Sequence, residues 1–175
     1  LDADPTMAEY GSLVHGALEE FIKLAKAERT KERLLEIGRK QILAAPISPA
    51  IKVFWWPRFE KITEWIIAQE EEDNLSAQSW TEVEGKYTFS GRDWEFTLTA
   101  KADRIDLRQD GSLRILDYKT GSAPNQKEIE AGFAPQLPLE GVIAEAGGFG
   151  NIGAKKVENL TYWKINGLGE GGKTS

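Results

Sequence analysis

The sequence contains no cysteine and a single histidine, His15. The lack of cysteine excludes disulfide scaffolds, thiol nucleophiles, zinc ribbons and thiolate-held iron–sulfur clusters. One histidine excludes a three-histidine zinc site. No apolar run approaches the roughly 20 residues that span a bilayer, and the N-terminus lacks the basic-then-apolar order of a signal peptide. No membrane association is expected, and the cytoplasm is the expected compartment. The first residue is Leu1 rather than an initiator methionine. At 175 residues, residues 1–175 are expected to form one domain excised from a longer chain, with 1–10 and 167–175 as flexible ends.

Positive charge is also scarce: 22 Lys and Arg stand against 28 Asp and Glu, a net charge of −6. That balance argues against a protein that coats nucleic acid through phosphate electrostatics. The deficit is local, because residues 62–100 hold nine acids and only Lys86 and Arg92 as bases, which leaves the remainder nearly neutral. Within that remainder Lys23, Lys26, Arg29, Lys31, Arg33, Arg39 and Lys40 form a basic stretch, read as a solvated helix face.

Apolar residues at helical spacing (Leu13, Ala17, Leu18, Phe21, Ile22, Leu24) predict a long amphipathic helix capped by Ser12. Ala44–Pro49 reads as a break, with Pro49 suited to the first turn of a second helix. That helix carries Val53, Trp55, Trp56, Phe59, Ile62, Trp65, Ile66 and Ile67 and ends in Glu70–Asn74, with a kink or late start expected at Pro57. Its aromatic cluster is expected in the core or at an inter-domain contact, with a base-stacking platform as the lesser alternative. From Trp80 the period changes: Trp80–Glu84, Lys86–Phe89, Trp94–Thr99 and Leu113–Asp117 are β-rich runs separated by glycine turns. Helical spacing returns between Asn125 and Gly147, and Lys156–Ile165 reads as a strand. This order predicts an α/β domain with a mixed β-sheet flanked by helices and a long N-terminal helical segment.

The segment from Ala102 to Gly121 is the most informative. It reads as a hairpin around Gln109-Asp110-Gly111, a three-residue loop with Gly111 left-handed, which pairs residues whose numbers sum to about 220. That register sets Leu107 opposite Leu113, Ile105 opposite Ile115 and Asp106 opposite Arg114, all favourable pairs. Continued outward, it places Asp103 opposite Asp117, with Lys101 and Lys119 one step on. Two facing carboxylates repel unless something positive lies between them. Oxygen ligands suit magnesium or manganese, and a lysine beside them can orient water or stabilise charge on phosphorus. The alternative is a solvated strand end carrying two acids and two lysines. His15 is either a half-exposed helix histidine or, if its helix packs against the strand ends, a third ligand.

Asp103 followed by Asp117-Tyr118-Lys119-Thr120-Gly121 resembles the PD-(D/E)XK nuclease superfamily in its RecB-like branch. Gly11-Ser-Leu-Val-His15-Gly16 resembles the helix bearing that branch's extra metal-binding histidine, and Gln136-Leu-Pro-Leu-Glu140 resembles its glutamine motif. Together they run from residue 11 to 140 in the family's order. The pattern is most similar to the C-terminal nuclease domain of AddB-type subunits of bacterial helicase-nucleases, of the alphaproteobacterial type. The resemblance implies a restriction-endonuclease-like fold and a Mg2+-dependent deoxyribonuclease, with Mn2+ as substitute, acting as an exonuclease on single-stranded DNA during double-strand-break repair beside a helicase partner. It implies His15, Asp103, Asp117 and the Tyr118 main-chain carbonyl as metal ligands, and Asp103, Asp117 and Lys119 as catalytic residues. Gln136, Lys101 and Thr120 would contact DNA, or Gln136 would position the active-site strand. Two positions depart from the family: Glu140 stands where tyrosine commonly closes the glutamine motif, and Ala100-Lys101-Ala102 replaces a glycine-containing approach to the first aspartate. Some relatives clamp this domain with an iron–sulfur cluster, which the absent cysteines exclude. The rival reading from another class is a catalytically inactive scaffold for DNA ends or subunit assembly, and within the active reading the alternative is a standalone exonuclease.

Gly167-Leu-Gly-Glu-Gly-Gly172-Lys173-Thr174 satisfies the phosphate-binding pattern G-x-x-x-x-G-K-[ST]. That motif requires a following helix, and only Ser175 follows. A strand-connecting loop or frayed tail is expected there.

Overall fold

The structure, a computed structural model, describes residues 5–72 and 76–175. Its chain divides into two compact units. One comprises Leu1–Asn74, Tyr118–Ala123 and Trp163–Ser175, the other Leu75–Asp117 and Pro124–Tyr162. Residues 1–4 of the expected N-terminal end, and 73 and 74 of the acidic stretch, lie outside the described residues.

The first unit is mostly helical: α1 (Pro5–Ile22), α2 (Lys31–Ala44) and α3 (Pro49–Glu72). The expected single long helix is thus two, and Ser12 lies inside α1 rather than capping it. Helix α1 buries Tyr10, Leu13, Val14, Ala17, Leu18 and Phe21, the three- and four-residue stripe of an amphipathic helix. Thr30 accepts from the Arg33 amide and starts α2 afresh. Gly38 of α2 meets the Phe59 ring of α3 so closely that a Cβ there would lie 2.0 Å from it, so this crossing requires glycine. Helix α3 begins at Pro49, as expected, and continues through Pro57. Trp55 and Phe59 are core residues, and Tyr10 packs its ring 5.1 Å from that of Trp55. The basic stretch is largely neutralised on the surface, with Lys31 paired to Glu64 and Lys40 to Glu20.

The strands are β1 (Ser76–Ser90), β2 (Glu95–Arg108), β3 (Leu113–Lys119), β4 (Val157–Lys164) and β5 (Lys173–Thr174), in the sheet order β1-β2-β3-β4-β5. Pairs β1–β2, β2–β3 and β4–β5 are antiparallel. The β3–β4 pair is parallel: Leu113 bonds to Lys156 at its start and Lys119 to Ile165 at its end. The sheet is therefore mixed, and helices flank it, as a restriction-endonuclease-like fold requires. Two expected strands merge into β1, because Gly85 is a strand residue rather than a turn. A Cβ at Gly85 would lie 2.4 Å from the Phe149 ring, so the residue admits that ring against the strand. The expected helix between Asn125 and Gly147 is two, α4 (Gln126–Glu130) and α5 (Gln136–Glu145), separated at Gly132, whose φ is 77°. Helix α5 packs on β1 and β2.

The β2–β3 hairpin has the expected register. Leu107 pairs with Leu113, Asp106 with Arg114, Ile105 with Ile115, and Gly111 takes φ 86°. The face carrying Asp106 and Arg114 is not solvated, however. Arg104 is 1% exposed and Asp106 0%. Arg104 Nε donates to Asp106 Oδ1 at 2.7 Å, and Arg114 donates to Oδ2 at 2.7 Å. Burial opposes ionisation of Asp106, but the charges of Arg104 and Arg114 and hydrogen bonds from Arg104 and Ser79 outweigh it and hold its pKa below the ordinary range. Asp106→Asn leaves two cations facing a neutral amide and is expected to destabilise the fold by about 3–5 kcal/mol. A folded pKa below the unfolded value means this contribution is present above about pH 3.9 and is lost as pH falls through the folded pKa. Urea unfolding from pH 7 to 2 checks both: the wild-type advantage should shrink in acid, and an advantage that grows there would contradict the account.

The Gly167–Lys173 run forms a turn closed by Gly171 N–H bonding to Leu168 O at 3.0 Å, followed by β5. A Cβ at Gly171 would lie 2.2 Å from the Lys61 carbonyl of α3, so the turn sits on that helix. The following element is a strand, and the run lacks the helix N-terminus a phosphate loop needs. Among the described residues no helix is long and apolar enough to cross a membrane.

Candidate active site

Strand alternation brings Asp103, in the middle of β2, and Asp117, near the end of β3, to one face. Ile105, Leu113 and Ile115 are wholly buried on one face. The described ladder ends at Arg104 opposite Leu116, and the next residues outward are Asp103 and Asp117. Asp103 is half-buried, whereas Asp117 is 1% exposed.

The neighbouring strand contributes a third acid. The β1–β2 register runs from Thr81 opposite Arg104 to Val83 opposite Ala102, which leaves Glu82 across from Asp103. Carboxylate oxygens of the two approach within 4.8 Å. Glu82 has φ 53°, a left-handed conformation that an L-residue with a Cβ adopts at a cost of about 1–3 kcal/mol. Lys101, on β2, forms an ion pair with Glu82. Lys101, expected to contact DNA, thus has a carboxylate partner on the neighbouring strand. Glu82 was hidden in the sequence because the run was divided at Gly85. Aligning Thr88 with Thr97 and Phe89 with Phe96 would have exposed it, since the same register continues back to Asp103.

Gln136 opens α5 next to Asp117. Its Nε2 donates to Asp117 Oδ1 at 2.5 Å and to Glu140 Oε1 at 3.2 Å. Glu140 is 1% exposed. The amide is thus held between two buried carboxylates.

The other site residues belong to the helical unit. On α1, His15 sets its ring 5.8 Å from that of Tyr118 at 82°, an edge-to-face contact. A Cβ at Gly11, one turn earlier, would lie 2.9 Å from Thr120 Oγ1. Helix α1 therefore packs on the end of β3, the condition the sequence left open for His15. Tyr118 is buried, and its other ring neighbour is Trp163 at 5.9 Å. Lys119 is half-buried, and its carbonyl accepts from the Ile165 amide at 2.8 Å, which anchors the strand end. Asp117 and Lys119, two residues apart on one strand, point to the same side.

Carboxylate oxygens from Asp103 and Glu82, without any thiolate, form a hard donor set suited to a six-coordinate divalent cation such as magnesium or manganese. Their mutual repulsion is relieved by a cation, as the Lys101 ammonium does in part.

An uncharacterized protein of Rickettsia felis is 28% identical over 179 residues, covering 97% of this chain and 20% of its own length. One of Rickettsia bellii is 27% identical over 150 residues, covering 83% of this chain and 18% of its own. The chain thus spans about a fifth of the length of these relatives. Among solved structures, protein VC1899 from Vibrio cholerae aligns with 90% of this chain and 41% of its own, at 11% identity and a TM-score of 0.35. The model of the PD-(D/E)XK nuclease superfamily matches residues 1–174, and by that match the chain belongs to this superfamily.

Proposed function

We propose that this chain is the exonuclease domain of an AddB-type bacterial helicase-nuclease, a cytoplasmic Mg2+-dependent deoxyribonuclease that processes DNA ends for recombinational repair. The observation that carries this reading is the end of β3, where buried Asp117 is bonded to Gln136 and Lys119 follows two residues on. Asp103, Asp117, His15 and the Tyr118 carbonyl would hold the ion. When bound, a divalent cation supplies Lewis acidity to the scissile phosphodiester and lowers the pKa of water. Lys119 would orient the attacking water or neutralise charge developing on phosphorus. Gln136 keeps the Asp117 carboxylate in place, and Tyr118, wedged between His15 and Trp163, keeps the strand end from shifting. In this family's chemistry the products carry a 5′-phosphate and a 3′-hydroxyl. Relatives five times as long are what a nuclease joined to further domains would give.

A net charge of −6 leaves few cations to displace DNA counterions. The isolated chain should therefore bind single-stranded DNA weakly, with a log–log salt slope of about 2 or less in magnitude. A helicase that threads the strand into the site would supply the missing affinity through effective concentration. Fluorescence anisotropy against salt, run beside a Mg2+-dependent cleavage assay with and without the helicase partner, tests this. Slow cleavage alone and efficient cleavage in the complex is the expected result. Tight, steeply salt-dependent binding by the chain alone favours the standalone exonuclease, and no cleavage under any condition favours the inactive scaffold.

A further inference from the structure

Glu140 stands where the resembled motif commonly has tyrosine, yet it is 1% exposed, a burial that glutamate rarely reaches without a partner. It lies one helical turn after Gln136, so the two side chains share a face of α5. The Gln136 amide has two N–H donors at one end and only an acceptor at the other, and its neighbours decide which end faces which group. Here the nitrogen serves two carboxylates, Asp117 Oδ1 at 2.5 Å and Glu140 Oε1 at 3.2 Å. Both carboxylate oxygens accept from it. A flipped amide would therefore lose both hydrogen bonds and set its own oxygen against two acidic groups. With Glu140 absent, one of the two hydrogen bonds that oppose that flip would be gone.

We propose that Glu140 is a positioning residue: it holds the Gln136 amide with its nitrogen toward Asp117 and, through that amide, fixes the Asp117 carboxylate. The inference rests on the reading of Asp117 as a metal ligand. It commits both Gln136 donors to the protein, so the glutamine serves the strand rather than the DNA. Tyrosine at 140 would not impose this orientation, because a hydroxyl can both donate and accept.

The test compares Glu140→Leu, which keeps a buried side chain, with Glu140→Gln, whose carbonyl can still accept from Gln136. Glu140→Ala replaces the leucine variant if leucine disturbs the packing. In proton–nitrogen NMR spectra the Gln136 side-chain signals, assigned by their loss in Gln136→Leu, should show two downfield, slowly exchanging protons in the wild type. One of them should revert to solvent-like behaviour in Glu140→Leu, and both should persist in Glu140→Gln. In single-turnover cleavage, Glu140→Leu should lose about 10- to 100-fold in rate at saturating metal and DNA, the range for groups that orient metal ligands. The KM for an oligonucleotide should stay within about twofold, and Glu140→Gln should recover most of the rate. Adding Glu140→Leu to Gln136→Leu should cost nothing more. Additive losses, or a change confined to KM, would overturn the proposal, as would unchanged Gln136 signals in Glu140→Leu. If no variant and no wild-type preparation cleaves DNA, the nuclease reading fails, and the NMR comparison alone decides whether Glu140 orients Gln136.

Discussion

Asp117→Asn should lose metal-dependent cleavage by on the order of a thousandfold while keeping the fold, because it removes a charge and little else. Asparagine has the shape of aspartate and, with its carbonyl oxygen toward Gln136, retains the hydrogen bond that Asp117 Oδ1 now accepts at 2.5 Å. What disappears is a carboxylate that is 1% exposed. Its repulsion toward buried Glu140, which shares the Gln136 amide, goes with it, so the melting temperature of the variant should be unchanged or higher. The Lewis-acid contribution of an ion that the variant no longer holds is worth several kcal/mol, which converts to the stated loss. Titration calorimetry with Mn2+ should show at least a tenfold weaker affinity. Manganese affinity and cleavage both equal to those of the wild type would remove Asp117 from the site.

Lys119→Ala should separate chemistry from binding. The lysine ends β3 two residues beyond Asp117, half-buried, with its backbone tied to Ile165. Truncating the side chain leaves that backbone bond in place, so the strand end should hold. If the ammonium acts on the water or the developing phosphorane charge, its removal costs about 3 kcal/mol or more in the transition state, a loss of a hundredfold to a thousandfold in kcat. Metal affinity and KM should change little. Lys119→Arg should rescue poorly, because a planar guanidinium cannot present a point charge at the same position. Single-turnover rates at saturating DNA decide the matter. A loss that appears only in KM would mean that Lys119 holds ground-state phosphate.

Much of the candidate site was legible because it depends on short-range rules. The Gln109-Asp110-Gly111 loop, with glycine at φ 86°, and the Leu107–Leu113 and Ile105–Ile115 pairs set the β2–β3 register, since a slip by one residue would oppose acids to apolar side chains. The Asp-x-Lys spacing on β3 follows from strand alternation alone. Element boundaries were less legible. Ser12 has the chemistry of a cap but sits inside α1, and Gly85 has the chemistry of a turn but lies within β1. In the second case the deciding contact is the Phe149 ring, 64 residues away along the chain.

Three features of the site arose only from packing. Glu82 faces Asp103 because β1 continues past Gly85 along β2, and the left-handed backbone at Glu82 has no signature in residue type. Asp106 pairs with Arg114 in the expected register, but its complete burial and the addition of Arg104 to form a buried network follow from packing alone. Glu140 reads as a departure from a motif, and its bond to Gln136 gives it a place in the site. Helix periodicity, strand alternation and turn chemistry involve residues only a few positions apart, so the order of residues specified them. Burial of a charge, the length of a strand through a glycine and the partner of an amide depend on residues far apart in the chain, and those were decided when the tertiary structure excluded water from them.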